Sequence, residues 1–363
     1  MIIQARNATL HFLYKYALKP ILFQFDPEFV HKTFIKIGIL LGSNPLTKSL
    51  TSLAFNHSSP ILNQKILGIT FKNPIGLSAG FDKNAELTSI LPKIGFGFEE
   101  VGSITAMPCA GNSGLRLKRL PEKKSLWVHF GLNNNGTDEI ISRLKKKKFE
   151  IPLGISIAKT NCKETANVEV AIKDYIYSLK KFEENNVGSY YTINISCPNA
   201  FGGQPFTDSI LLEKLMKQVY SLKLKTPYFL KISPDLTKQT LDKIIFISQK
   251  YRVSGFVCAN LTKNHEYSKG GLSGKVVEKS SNESISYIYK KTKGKFILIG
   301  VGGVFSAQDA YEKIKRGASL IQLITGMIYE GPQLISQINL DLEKLIKKEG
   351  YANINEAIGK GSN

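Results

Sequence analysis

The chain has 363 residues, 42% hydrophobic and 21% charged, an ordinary globular balance that fits one large barrel or two medium domains with a sizeable core. Its four cysteines (Cys109, Cys162, Cys197 and Cys258) show no CxxC or Cys/His spacing, which argues against a disulfide framework or a metal site and points to a reducing compartment. The net charge of +20 fits nucleic acid, an anionic membrane surface, anionic small molecules or simple solubility, but no RNP-like, zinc-finger or helix-turn-helix signature accompanies it.

No stretch reaches the ~18 uncharged apolar residues of a spanning helix, and the N-terminus lacks a signal-peptide pattern. Residues 1–56 read as a segment of their own. Leu10, Leu13 and Ala17 recur at i, i+3, i+7, and Val30, Phe34, Ile37 and Leu41 at i, i+4, i+7, i+11, which predicts two short helices. Pro20 and Asp26-Pro27 are expected to break the stretch, with Asp26 capping the second helix. Phe12, Tyr14 and Tyr16 among Lys15 and Lys19 suit a helix lying in a membrane interface, and an ordinary helix pair packed on the main domain fits as well.

From residue 70, apolar runs alternate with amphipathic stretches. The runs are Pro74–Ala79, Phe98–Gly102, Leu153–Ala158, Tyr190–Ile195, Tyr228–Ile232, Gly255–Ala259, Phe296–Gly300 and Leu320–Ile324. Continuous hydrophobicity fits parallel strands buried on both faces, and eight of them over this length predict an α/β fold, a (β/α)8 TIM barrel over 57–350. Helical patterns lie between them, such as Val168–Phe182, Ser209–Leu222, Thr237–Lys250 and Ala307–Lys315. A doubly wound open sheet competes, but polar and glycine motifs at nearly every strand end favour the barrel. Lys145 to Lys148 read as a solvated helix end, and 351–363 as a polar tail.

The chemistry sits at the strand ends. Ser78-Ala79-Gly80-Phe81-Asp82-Lys83 follows the first run, where small residues let a flat ring approach the backbone and Lys83 adds charge. Asn194-Ile195-Ser196-Cys197-Pro198-Asn199 ends the fourth, placing a thiol between carboxamides that suit a planar polar ligand; Cys197 offers a base or nucleophile. The bland alternative is a buried cysteine beside turn-forming residues. Lys231 lies inside the fifth apolar run, so its charge needs compensation by a ligand or a structural ion pair. Gly270 to Gly274 gives another close-approach loop, while Gly300-Val301-Gly302-Gly303 and Thr325-Gly326 end the last two runs, where barrels commonly hold phosphate. A phosphate cradle, two lysines, several asparagines and one cysteine around one mouth suit flavin mononucleotide and a small planar substrate, with Lys231 placed to stabilise negative charge on the reduced ring.

These motifs, with Phe25-Asp26-Pro27-Glu28 and His31, Phe71-Lys72-Asn73-Pro74, Lys231 to Leu236 and Gly317 to Leu320, resemble the dihydroorotate dehydrogenases, in particular the quinone-dependent (class 2) branch, from about Phe23 to Pro332. The resemblance implies FMN-dependent oxidation of dihydroorotate to orotate in pyrimidine biosynthesis, with Cys197 removing a C5 proton while C6 delivers hydride to the flavin. It implies that Lys83, Asn194, Asn199 and Asn260 hold substrate. Ala79, Gly80, Lys83, Ser103, Asn194, Lys231, Ser273, Gly274, Gly302, Gly303, Thr325 and Gly326 would hold FMN, and His31 and Arg119 would lie near the quinone path. It further implies that 1–56 is a helical membrane-docking extension forming a quinone tunnel. The protein would then be peripheral, on the cytoplasmic face of a bacterial inner membrane, with no nucleic-acid partner and no metal.

The chain departs from that pattern. Class 2 members usually carry Ser as the base, whereas this chain has Cys197, as in the soluble class 1 enzymes. Val128 occupies a substrate-binding Asn position in Trp127-Val128-His129-Phe130-Gly131-Leu132-Asn133-Asn134, Ser156 replaces a flavin-contacting Asn, Ala259 and Leu261 replace flanking threonines, and Ile324 replaces a Tyr. Two other readings follow: a same-fold FMN oxidoreductase acting on another reduced pyrimidine or related ring, and a basic nucleic-acid or anionic-lipid binding protein on an inactive barrel.

Overall fold

The computed structural model describes residues 2–361. Eight parallel strands close into one barrel: β1 (Ile75–Leu77), β2 (Phe98–Ile104), β3 (Leu153–Ile157), β4 (Tyr190–Asn194), β5 (Tyr228–Ile232), β6 (Gly255–Cys258), β7 (Ile297–Val301) and β8 (Leu320–Leu323). Each pairs with its sequence neighbours, and β8 closes on β1 through Ile321 opposite Ile75. All eight fall within or overlap the apolar runs, because strands walled by helices outside and side chains inside have no polar face. The helices Val168–Glu184, Ser209–Ser221, Lys238–Lys250 and Ala307–Lys315 lie where the amphipathic pattern puts them. Asn167, Asp208, Thr237 and Ser306 cap them by accepting from first-turn N–H groups.

A hairpin, Gln64–Ile66 with Ile69–Phe71, plugs the barrel at the starting ends of its strands. Phe71 meets Phe98 edge-on at 5.5 Å, and Phe98 and Phe229 pack about Tyr190. The opposite end stays open. A three-stranded antiparallel sheet, Leu117–Leu120, Ser125–Val128 and Gly271–Gly274, forms its rim. The Gly270–Gly274 stretch, expected as a loop, is thus partly an edge strand.

The N-terminal segment differs from expectation in two ways. The helix does not break at Pro20 but runs from Ile2 to Leu22 through a π-helical turn, Tyr14–Leu18, where Lys19 N–H bonds back to Tyr14 O. The widened turn makes room for a proline ring that would otherwise strike the carbonyl four residues back. Asp26 does cap the helix Pro27–Leu41, accepting from Phe29 N at 2.8 Å, but a further helix, Pro45–Phe55, follows it, capped by Asn44. The first helix is also turned inside out. Its buried residues are Asn7 and Tyr14, while Leu13 and Ala17 of the expected apolar face are exposed. Arg6 bonds Leu53 O, Asn56 O and Ser336, and Tyr14 OH donates to Ile328 O, so polar contacts anchor the helix to the barrel.

The end of the chain is not a loose polar tail. Up to residue 361 it packs on the barrel through buried Ile354 and Ala357 and through Gly359 N–H to Ile314 O; Ser362 and Asn363 lie outside the described residues.

Candidate active site

The open end of the barrel holds a cavity of about 1240 Å³ including its mouth, lined mainly by apolar atoms with a few converging polar groups. That is the usual make-up of a ligand site. Fifteen of the expected substrate, cofactor and catalytic residues line it: Cys197, Lys83, Asn194, Asn199, Asn260, Ala79, Gly80, Ser103, Lys231, Ser273, Gly274, Gly302, Gly303, Thr325 and Gly326. His31 lines it too. Arg119 does not: on the strand Leu117–Leu120, it donates to Phe25 O at 2.8 Å and lies 4.6 Å from the Phe23 ring centroid, bracing the link between the first two helices.

The floor is a connected polar network. Asn194 Nδ2 donates to Ser103 Oγ at 2.8 Å, and Ser103 Oγ lies 2.8 Å from Ser156 Oγ. Asn260 Nδ2 reaches Asn194 Oδ1 at 3.2 Å, and Ser196 Oγ donates to Lys231 O at 2.7 Å. Ser156, in the place of an expected asparagine, is therefore joined to the site through Ser103. Asn194 ends β4 and Asn260 follows β6 by two residues, so these two carboxamides are held close to strand ends, which suits orientation of a flat polar ring.

Two lysines point charge into this space. Lys231 is buried, and burial lowers its pKa; Glu100 and Cys197 act on it only through space, and its Nζ has no hydrogen-bond partner among the described residues. Lys83 lies 3.5 Å from the Phe130 ring centroid, and burial brings it down to about 8 against the opposing pull of Glu28. A cation held out of water without a bonded anion is costly, most of all the buried Lys231 and less so the half-buried Lys83, so both sites suit anionic or strongly polar ligand atoms.

Cys197 is walled in by protein except toward the cavity. Burial raises its thiol, while the Asn199 backbone, Lys159 and Lys231 pull the other way. The loop that carries it is pinned: Lys159 Nζ donates to Phe201 O at 2.5 Å, Asn161 accepts from Phe201 N, and Gln204 Nε2 donates to Ser196 O. Asn199 Nδ2 donates to Val128 O at 3.1 Å, and its Oδ1 lies 3.3 Å from His129 Nδ1. Asn134 is consumed by Thr105, Leu132 O and Gly136 N, whereas Asn133 lines the cavity with Nδ2 given to Ala110 O.

Gly302 and Gly303 shape the third wall. Their φ angles are +105° and +74°, and a Cβ on either would strike Val277 or Glu278. Neither N–H has a protein acceptor among the described residues. Two unpaired amides beside a water-accessible cavity form a nest for an anionic group.

The N-terminal segment reaches the cavity through His31, whose Nε2 bonds Phe81 O at 2.9 Å. Burial, assisted by Lys83, lowers its pKa to about 4, so the ring is neutral near pH 7. Glu28 clamps Arg116; burial would raise Glu28, but hydrogen bonds from Arg116 and Lys32 outweigh it and hold it at about 2. Trp127, in the rim strand next to Val128, donates Nε1–H to Lys269 O at 2.8 Å.

Sequence reasoning missed Lys159 and the Glu28–Arg116 clamp. Lys159 directly follows the apolar run Leu153–Ala158, close to its end as Lys231 is to the end of Tyr228–Ile232, and that shared pattern was a usable signal. Glu28 and Arg116 lie 88 residues apart, with nothing local to pair them.

Comparison with known proteins agrees with this geometry. The family model described as Dihydroorotate dehydrogenase matches residues 61–346. The chain is 34% identical over 354 residues to the dihydroorotate dehydrogenase (quinone) of Gloeobacter violaceus, covering 96% of this chain and 98% of that one. Against the protein of the same description from Christiangramia forsetii it is 39% identical over 348 residues, covering 93% and 99%. Among solved structures, DHODH from Eimeria tenella in complex with ferulenol superposes with a TM-score of 0.82 at 29% identity, covering 92% of this chain and 95% of that one. The family model spans the barrel and its rim, and the chain belongs to the dihydroorotate dehydrogenase family of flavin-dependent oxidoreductases.

Proposed function

We propose that this chain oxidises dihydroorotate to orotate on bound FMN and passes the electrons to a quinone, as a peripheral membrane enzyme of pyrimidine biosynthesis. The observation that carries the reading is the convergence in one cavity of the Cys197 thiol, the Asn194, Asn199 and Asn260 carboxamides, the buried Lys231, the half-buried Lys83 and the unpaired Gly302 and Gly303 amides. These groups fit FMN. The glycine amides would hold its phosphate, Ser273, Gly274, Thr325, Gly326, Ala79, Gly80 and Ser103 would line its ring and chain, and Lys231 would offset negative charge on the ring. When bound, FMN supplies hydride acceptance and two-electron transfer.

The chain's own residues do the rest. Cys197, as thiolate, takes the C5 proton of dihydroorotate. The asparagines would fix the ring so that C6 can release hydride, and Lys83 would pair with the substrate carboxylate. Quinone then takes two electrons and two protons, which restores the oxidised enzyme. Anaerobic addition of dihydroorotate to the purified yellow protein tests the reading: rapid bleaching of the visible flavin bands is expected, and a protein that stays yellow would overturn it.

The lysine gives a pH prediction. Free Lys83 is charged below about 8 and discharges above it. Orotate affinity is expected to be level below about pH 7 and to fall about tenfold per pH unit beyond about 8, until the raised pKa of the complex is passed. Affinity constant up to about pH 10, measured by flavin difference spectra, would remove Lys83 from the carboxylate site.

Val128 leaves an apolar surface where relatives of this pattern carry a carboxamide. Replacing a missing hydrogen bond is worth roughly 1–3 kcal/mol. Val128→Asn is therefore expected to tighten orotate binding by about 5- to 150-fold. Weaker binding would mean that Asn133 or water already fills the role.

The N-terminal helices form the membrane-facing part of the proposal. No helix among the described residues is long and apolar enough to cross a membrane. Many large apolar side chains nonetheless stand exposed on residues 2–56, including Phe12, Tyr16, Ile21, Phe25, Phe29 and Leu40. An apolar surface of that extent marks an interaction face, and lysines 15 and 36 beside it suit anionic headgroups.

A further inference from the structure

Lys313 lies inside the helix Ala307–Lys315 and is fully buried, behind the strand ends that carry the glycine amides. Its Nζ donates to Ser281 Oγ at 3.0 Å and to Asn282 Oδ1 at 2.8 Å. Ser281 in turn donates to Val301 O at 2.6 Å and reaches Cys258 O at 3.0 Å. The packing is close: a Cβ on Gly300 would lie 3.1 Å from Lys313 Cδ.

The ammonium has donors only, so it occupies a lone pair of Ser281 and directs that hydroxyl's hydrogen toward the carbonyls. Val301 O also accepts from Ala259 N at 3.2 Å, so this carbonyl is held from two sides. In a trans peptide the C=O and the following N–H point in opposite directions. With Val301 O drawn toward Ser281, Gly302 N–H faces the cavity, where it has no protein acceptor.

We propose that Lys313 is a positioning residue for the phosphate end of the cofactor: acting through Ser281, it fixes the Val301–Gly302 peptide and sets a buried positive charge behind the Gly302 amide. The inference rests on the FMN reading of Gly302 and Gly303. It adds a residue that never touches the ligand, on a helix outside the barrel.

The charged form is required for this role. Burial lowers Lys313 to about 7, while the facing carboxylates Glu278 and Asp309 and the Cys258 thiol raise it and Arg316 lowers it. The contribution is thus present below about pH 7 and declines above it, unless the bound phosphate raises the lysine again.

The test compares FMN with riboflavin, which lacks the phosphate, by quenching of flavin fluorescence on the full chain stripped of flavin. Lys313→Met is expected to weaken FMN at least tenfold and leave riboflavin unchanged, with Ser281→Ala giving a smaller loss of the same kind. If Lys313→Met does not fold, Ser281→Ala carries the test alone. Equal loss of both flavins, or loss of neither, overturns the relay and leaves the FMN reading intact. A parent protein that does not prefer FMN to riboflavin overturns the assignment of Gly302 and Gly303 itself.

Discussion

Cys197→Ala is expected to bind flavin as the parent does and to lose about 10²- to 10⁴-fold in the rate at which dihydroorotate reduces it. That range corresponds to ~3–5.5 kcal/mol of barrel-mouth chemistry. The side chain is small and faces the cavity, so its removal leaves the pinned loop in place: Lys159, Asn161 and Gln204 hold it through backbone atoms of Phe201 and Ser196. Parent kinetics carry an independent sign. Burial raises the thiol, so only a minor fraction is thiolate near neutral pH. The reduction rate of the parent is therefore expected to climb about tenfold per pH unit until the thiol is ionised, and the Ala variant to lack that rise. Stopped-flow reduction under anaerobic conditions measures both. A variant that reduces at the parental rate would show that another group takes the proton.

The second large effect concerns the membrane face. Leu46, Leu50 and Leu53 recur at i, i+4, i+7 along one side of the helix Pro45–Phe55 and are 69%, 57% and 75% exposed. Each leucine that enters an apolar phase contributes at least about 1.5 kcal/mol. Replacing all three with Asp is expected to lower partition onto anionic vesicles by roughly a thousand-fold. Reduction of the flavin by dihydroorotate should be unchanged, since none of the three lines the cavity. Turnover with a long-chain quinone held in vesicles should fall with the partition. Vesicle sedimentation identical to the parent would refute the docking role of this helix.

The barrel was legible because its strands obey one rule from end to end. A strand buried on both faces must be apolar throughout, and β5 matches the run Tyr228–Ile232 residue for residue. The site was legible for the opposite reason: polar or glycine residues interrupt those runs, and a charge such as Lys231 inside one needs an explanation. What stayed hidden has particular causes. The helix Pro45–Phe55 presents its leucines outward, so its pattern signals a surface that water does not explain. The first helix buries Asn7 and Tyr14 and exposes Leu13, so reading its apolar face as the packed face inverted it. The strand Gly271–Gly274 lacks β-formers and is held by its partner Ser125–Val128. Lys313 sits in a charged helical stretch, where only the helix register, not the residue type, turns it inward.

The rim strand has a practical consequence. The chain contains one tryptophan, and it is Trp127, buried on the rim strand between Leu126 and Val128, which line the cavity. All indole emission therefore originates a few residues from the ligand, with no background from elsewhere. A flavin nearby absorbs in the range where indole emits, so occupancy of the cavity can be read as dimming of the native protein and departure of the cofactor as brightening. This fold comes with its own optical gauge, and screening ligands against it requires no label.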